Sequence, residues 1–220
     1  MFGYAVPFWI QPYVIARTGS AFAGMLLSLV PLLTIVASVP LLGVYPSVRQ
    51  VAGVVGGLAL MAVLMANELR TDVRMGDLIL AAITPCAYAT ANTYVKRRFN
   101  GVPPLALTMT AMALTAAMLV PISLTTEPIH VNEHFRTALL ALLVLGVLGT
   151  GLATFFFYTL IQHRGPLYAA MVAYIIPCVA VALGWLDNEV IAPSHLLVLA
   201  GILAMVALVQ TERAGRDGGG

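Results

Sequence analysis

The placement of charged residues constrains this chain more than any other feature. Its 11 Lys and Arg and 9 Asp and Glu residues all fall between or after eight uncharged, apolar stretches. A charged side chain at the centre of a membrane helix costs about 2.5–3.5 kcal/mol on insertion scales, so a chain that folds in lipid collects its charges in loops. The uncharged stretches are 1–16, 18–48, 50–67, 78–95, 99–126, 137–163, 165–186 and 190–211.

The composition agrees with a lipid setting. Hydrophobic residues make up 60% of the chain and charged residues 9%, whereas soluble domains carry about 25% charged residues. A helix of roughly 20 residues spans the hydrocarbon, and lipid permits only helices or closed barrels. Because the alternation of barrel strands is absent, we predict an all-α, polytopic membrane bundle of about eight segments. These are 2–16, 20–42, 47–67, 76–97, 103–125, 135–161, 166–186 and 194–211.

The basic residues predict an orientation. With an even number of helices, both chain ends lie on one side of the membrane. Short cytoplasmic loops carry an excess of Lys and Arg, so the side with more of them is predicted to be cytoplasmic and to hold the C-terminus. That side receives Arg49, Lys96, Arg97, Arg98, Arg164, Arg213 and Arg216, and the other receives Arg17, Arg70, Arg74 and Arg136.

An apolar, proline-centred segment occurs twice. SAFAGMLLSLVPLLTIVASVP (20–40) aligns without a gap on PLYAAMVAYIIPCVAVALGWL (166–186), which places Pro31 on Pro177. Past a two-residue insertion, Gly53 aligns with Gly201. In the predicted topology the two copies run in opposite directions. Inverted repeats are a recurring transporter architecture, with the solute site near the midplane where the halves meet.

These segments, together with RQVAGVVGGLALM and GDLILAAITPCAYATANTYVKRRF, resemble the drug/metabolite transporter superfamily of the EamA type. The resemblance implies inverted repeats of five helices. Residues 76–211 would form a complete second repeat. Residues 1–67 would form the end of the third helix and the fourth and fifth helices of the first repeat. Residues 212–220 would form a disordered cytoplasmic tail. The first two to two and a half helices would be missing, so we expect a truncated, mis-started or reduced chain. The acidic helix end, Glu189 in the second repeat, is replaced by Gly43–Val44 in the first.

The resemblance implies a permease that moves a small metabolite or drug-like solute across the bacterial inner membrane by alternating access. A non-transporting membrane subunit, or an inactive truncated product that packs with a partner, is the first alternative. An intramembrane enzyme is the second, although no catalytic motif is visible. Since the spans carry no charge, we expect a neutral, zwitterionic or amphipathic solute. We predict no catalytic residue, cofactor or metal site, and solute and lipid rather than nucleic acid as partners.

Polar and aromatic side chains within the spans are the candidates for a solute cavity, because pockets combine apolar walls with a few hydrogen-bonding groups. Tyr88 and Asn92 lie four residues apart and share a helix face. In the aromatic run 155–158, at most two side chains can face inward, since successive residues differ by about 100°. For each candidate, packing, lipid contact or the interfacial belt is the alternative. The candidates are Trp9, Gln11, Tyr88, Asn92, Phe156, Tyr158 and Tyr174.

The repeated prolines and glycines have structural interpretations. Pro31 and Pro177 each remove a backbone hydrogen bond at mid-membrane depth, so each is predicted to be a hinge, with a fixed kink as the alternative. Gly53 and Gly57 form a G-x-x-x-G pattern, and Gly201 lies in the last segment. Small residues at this spacing let helices approach closely. They would buttress the bundle or form a homodimer through the third and last segments.

Overall fold

The computed structural model describes residues 2–68, 74–126, 135–166, 169, 172, 175–186 and 193–217, and within them it contains helices and turns but no strand. Helices α2 and α3 are nearly continuous, as are α7, the π-helix and α8, so the eleven described elements form eight helical segments, which confirms the predicted all-α bundle. The elements are α1 (Phe2–Thr18), α2 (Ser20–Leu27), α3 (Val30–Leu42), α4 (Val48–Glu68), α5 (Met75–Arg98), α6 (Pro104–Thr126), α7 (Phe135–Val144), a π-helix (Leu145–Leu152), α8 (Ala153–Arg164), α9 (Ile175–Leu186) and α10 (Pro193–Asp217).

Several of these segments are long and apolar enough to cross a membrane. Among the described residues, four meet both criteria: Ser20–Leu42, Met75–Arg98, Pro104–Thr126 and Phe135–Arg164. Shorter apolar helices cover Val48–Val63 and Leu196–Met205. Helix α7 buries none of its residues against protein, and it carries Leu140 and Leu142 with exposed fractions of 56% and 64%. Such a surface is expected of a helix that faces lipid.

A break at Ser28 and Leu29 separates α2 from α3. Pro31 lacks the N–H that would donate to the Leu27 carbonyl, and the chain tightens locally to compensate. The N–H groups of Ser28 and Leu29 donate to carbonyls three residues earlier, each at 3.1 Å, and the Ser28 hydroxyl donates to the Met25 carbonyl at 2.6 Å. The helix is therefore interrupted next to Pro31, whereas movement about this point stays a prediction.

Contacts between distant residues give the relative directions of the helices. Gly3 of α1 lies against Ala91 of α5, and Arg17 at the other end of α1 pairs with Asp77 at the start of α5. Helices α1 and α5 therefore run antiparallel. Helix α3 runs parallel to α5, because Val30 packs near Tyr88 and Arg97 donates to the Pro40 carbonyl at 3.4 Å.

Helices α4 and α10 run antiparallel and approach closely through reciprocal contacts. Gly56 lies against Met205, and Gly201 lies against Leu60, so each helix offers a glycine to a long side chain of the other. Small residues of this kind let membrane helices pack at short range.

The two proline-bearing segments pack directly against each other through α2 and α9. Helix α8 ends on the same side as α5, because Lys96 donates to the Gln162 carbonyl at 2.7 Å. Helix α10 begins on the opposite side, where α4 ends. Helix α9 lies between them in the chain and so runs opposite to α2 and α3, as predicted from the topology.

The most extensive interfaces join the N-terminal helices to the later ones. They are α4 with α10, α1 with α5, α2 with α9, and α3 with α5. The largest buried cluster accordingly mixes residues from both parts of the chain. Its fully buried members include Met25, Leu32, Leu78 and Ile202.

Candidate solute cavity

A cavity of about 340 Å³ lies inside the bundle. It is bordered by α1, the α2–α3 break, α5, the π-helix with α8, and the residues that lead into α9, and it is partly open, because the wall residues Gly149, Ala153 and Ile176 are exposed. Asn92 lies six residues before the end of α5, which is about 9 Å along a helix, so the cavity lies away from the helix ends. Its described wall carries no formal charge and consists of Tyr4, Phe8, Leu27, Val30, Tyr88, Asn92, Gly149, Thr150, Ala153, Thr154, Phe157, Val172 and Ile176.

Two backbone irregularities shape this wall. The α2–α3 break lies between Leu27 and Val30, both of which face the cavity. On the other side, the π-helix Leu145–Leu152 contributes Gly149 and Thr150. A π-helix widens the turn, and π-bulges occur frequently at functional sites. Because Gly149 has no side chain, part of the wall is bare backbone.

Tyr4 and Tyr88 of the cavity wall belong to a group of three tyrosines that Tyr158 completes. The ring of Tyr4 lies edge-to-face with Tyr88 and Tyr158, at centroid distances of 6.2 and 6.1 Å. This is a favourable arrangement for aromatic rings. The Tyr4 hydroxyl is also hydrogen-bonded to the side chains of Thr154 and Tyr158. Tyr4 therefore ties α1 to both α5 and α8.

The same tyrosine separates the cavity from a second, larger space. A groove of about 1010 Å³ runs between α1, α5 and α6, and Tyr4 and Tyr158 lie on its wall. Most of the groove is apolar, with Ile79, Ile83 and Leu114 among its lining residues. Tyr4 borders both spaces, so its ring forms part of the partition between them.

Asn92 is the most deeply buried amide on the cavity wall, with 4% of its surface exposed. No hydrogen bond joins its side chain to any residue that the structure describes. The side chain of the next residue is already paired, because the Thr93 hydroxyl donates to the Ala89 carbonyl of its own helix at 2.8 Å. The Asn92 amide is thus a wall group whose donor and acceptor remain available to a bound molecule.

The structure distributes the predicted cavity residues unevenly. Tyr88 and Asn92 lie on the cavity wall, and Tyr158 is buried beside Tyr4 on the wall of the second groove. Trp9 and Phe156 lie outside the wall, with exposed fractions of 64% and 60%. Gln11 is half-buried and does not reach the cavity, and Tyr174 lies outside the described residues.

Five aromatic or hydroxyl-bearing side chains line the cavity without having been predicted from the sequence: Tyr4, Phe8, Thr150, Thr154 and Phe157. Phe8 and Phe157 are direct neighbours in sequence of the selected Trp9 and Phe156. One residue corresponds to a rotation of about 100° around the helix, so the selected Trp9 and Phe156 face away from the cavity and their neighbours face it. The polar threonines Thr150 and Thr154, four residues apart, were the available signal for that face.

Pro31 and the predicted glycines occupy packing positions. Pro31 is buried beside the α2–α3 break, and Pro177 follows the cavity residue Ile176 within α9. Gly57 faces Leu32 of α3, Gly201 faces Leu60, and Gly53 is buried. The contacts of Gly57 and Gly201 lie within one chain. A homodimer through the same segments stays a prediction.

Polar contacts tie the helices together near both ends of the bundle. At one end, Arg17 pairs with Asp77 at 3.6 Å, and the Arg17 guanidinium also lies 3.8 Å from the centre of the Tyr13 ring. At the other end, Lys96 reaches the Gln162 carbonyl, and the Gln162 amide donates to the Val102 carbonyl. The cavity lies between these two layers.

Apolar helices of spanning length around an uncharged cavity define a multi-pass membrane protein. Residues 75–211, more than half of the chain, match the EamA-like transporter family. The chain belongs to this family, and it is a membrane transporter of the drug/metabolite type. The comparisons with curated proteins and with solved structures find no match.

Proposed function

We propose that this chain moves a small metabolite or drug-like solute across the bacterial inner membrane by alternating access, with the solute held in the cavity. The observation that carries the proposal is the position of that cavity, between two antiparallel helices that each contain a proline. Its volume of about 340 Å³ falls within the range of small-molecule sites, which is about 300–1,000 Å³.

The polar layers at the two ends supply a basis for alternating access. In the proposed cycle, opening toward one end of the bundle parts the layer around Arg17 and Asp77. Opening toward the other end parts the layer around Lys96 and Gln162. The α2–α3 break and the π-helix are places near the cavity where a helix can bend at low cost.

Solute flux into liposomes tests this proposal. Purified protein reconstituted at known density is expected to accelerate entry of at least one labelled solute from a metabolite panel, relative to protein-free liposomes. Ala153→Trp, which fills the cavity, is expected to abolish that flux while the protein elutes as a single folded species. Folded wild-type protein that transports nothing, and that co-purifies with another membrane protein, would favour the alternative of a non-transporting subunit.

The bare backbone at Gly149 is expected to set the size of accepted solutes. Gly149→Leu adds a side chain at a wall position, where its Cβ meets only the flexible end of the exposed Leu145 side chain at 3.1 Å, so flux of the larger accepted solutes should fall about tenfold, a loss of roughly 1.4 kcal/mol. Gly146→Leu is the matched control, because Gly146 lies in the same π-helix and faces open space. Equal losses from both substitutions would show that helix distortion, rather than cavity size, limits flux.

The proposed topology places the C-terminus in the cytoplasm. Arg74 and Arg98 mark the two ends of α5, and both are exposed. In a variant without Cys86 and Cys178, an impermeant maleimide added to intact cells is expected to label Arg74→Cys and to spare Arg98→Cys until the membrane is permeabilised. The reverse labelling pattern would overturn the orientation and leave the fold unchanged.

A further inference from the structure

We propose that the cavity selects uncharged, flat and largely apolar solutes that carry an amide-like edge, and that Asn92 binds this edge. An amide-like edge is a hydrogen-bond donor beside an acceptor, as in a primary amide or a lactam. The inference rests on the proposed transport function and names the substrate class of the same cavity.

The Asn92 side chain borders the cavity with its amide unpaired among the described residues. A carboxamide presents an acceptor oxygen and a two-proton donor nitrogen in one plane. Asn92 is 4% exposed, borders the cavity, and forms no side-chain hydrogen bond within the described part of the chain. A solute that supplies both an acceptor and a donor in one plane pairs with both ends of this amide, and each such hydrogen bond contributes about 1 kcal/mol net.

The wall around Asn92 is mostly aromatic and aliphatic, and its described residues carry no formal charge. Aromatic rings of Tyr4, Phe8, Tyr88 and Phe157 face the space, together with aliphatic side chains. Rings packed edge-to-face, as Tyr4 is with Tyr88, leave further faces and edges for a flat guest. An ionised solute would lose its hydration without meeting an opposite charge among the described wall residues, which is strongly unfavourable. The wall therefore favours a neutral, flat body.

Within α5, Asn92 lies beside an aromatic residue of the same cavity wall. Tyr88 lies one helical turn before it on the same face, and both residues border the cavity. A ring that packs against Tyr88 thus brings its substituent to the level of Asn92. The volume of about 340 Å³ is at the small end of ligand sites, so a molecule of one or two rings fits.

Equilibrium binding to the full chain in lipid nanodiscs tests this inference, with radiolabelled benzamide as the probe. Benzamide has one ring and one amide edge. Two related compounds compete against it: N,N-dimethylbenzamide lacks the donor, and benzoate is charged. We expect both to compete at least about tenfold more weakly than unlabelled benzamide, the effect of losing one or two net hydrogen bonds.

Substitutions then assign the binding to Asn92. Asn92→Leu keeps a similar volume, removes the amide, and should weaken benzamide binding about tenfold. Asn92→Gln keeps the amide and should retain more binding than Asn92→Leu. Thr93→Val is the control, because Thr93 is fully buried on the same helix and its hydroxyl serves its own backbone. Unchanged binding in Asn92→Leu, equal competition by benzoate, or no benzamide binding to the wild type would each overturn the inference.

Failure of this inference is distinguishable from failure of the transport function. Liposome flux of an anionic solute that is unaffected by Asn92→Leu would overturn the solute class and leave transport standing. Benzamide binding that depends on Asn92, in protein that moves no solute from the panel, would overturn transport and leave the binding chemistry standing.

Discussion

Replacing Arg17 with leucine is expected to destabilise the bundle sharply. The Asp77 carboxylate is buried, with 9% of its side chain exposed, and Arg17 is its cationic partner at 3.6 Å. Removing one partner of a buried ion pair costs about 3–5 kcal/mol, because the remaining charge stays desolvated. Arg17 itself is 44% exposed, so we expect the lower end of that range, about 3 kcal/mol. Thermal unfolding in detergent, followed by loss of the monodisperse peak, measures the effect.

The companion substitutions separate charge from packing. Asp77→Asn removes the buried charge and should cost less than Arg17→Leu. The double variant Arg17→Leu with Asp77→Asn should recover part of the stability lost in Arg17→Leu alone, since no buried charge is left unpaired. Additive losses in the double variant would show that the ion pair does not govern the effect, and that contacts of Arg17 with Tyr13 do.

Replacing Gly57 with alanine is expected to destabilise the bundle, although it adds only a single methyl group. Its Cβ would overlap the Leu32 side chain, and Leu32 is fully buried in the largest cluster. Overfilling a packed core costs about 1–3 kcal/mol. In an open helix position the same exchange is neutral or slightly favourable, because alanine is the better helix former. The melting temperature in detergent should therefore fall for Gly57→Ala.

Two variants make this prediction specific. Gly76→Ala places the same methyl group where nothing lies within 4 Å, and it should leave stability unchanged or raise it slightly. Leu32→Ala creates space opposite Gly57 and should itself destabilise the bundle through the cavity it leaves. Combined with Gly57→Ala it should lose less than the sum of the two single effects. A double variant that loses the full sum would show that Gly57 and Leu32 do not compete for one space.

The segments were predictable from sequence because lipid makes a charge so costly. Charged residues near Arg74 and from Lys96 onward mark the two ends of the predicted helix 76–97, and the observed helix is Met75–Arg98. Pro31 predicted an interruption, which occurs at Ser28 and Leu29. The π-helix was not predicted, since its hydrogen-bond pattern leaves no distinct mark on hydropathy. Three glycines within 146–151 were its only visible correlate.

The wall of the cavity was less predictable for a related reason. A helix that is apolar on all sides gives no polar face from which to fix its rotation. Tyr88 and Asn92 were found because their polarity stands out in α5, whereas Trp9 was selected and Phe8 was not. The pairing of Arg17 with Asp77 depends on the tertiary arrangement of α1 and α5, which charge counting in loops does not contain.

The interfaces that cross the chain have a consequence for biogenesis. Membrane helices insert one after another and associate afterwards. The faces of α2 and α4 meet their main partners in α9 and α10, which leave the ribosome more than a hundred residues later. Until α9 and α10 are inserted, these faces of α2 and α4 contact lipid in place of their final partners. The native arrangement can close only when synthesis of the last helix is complete.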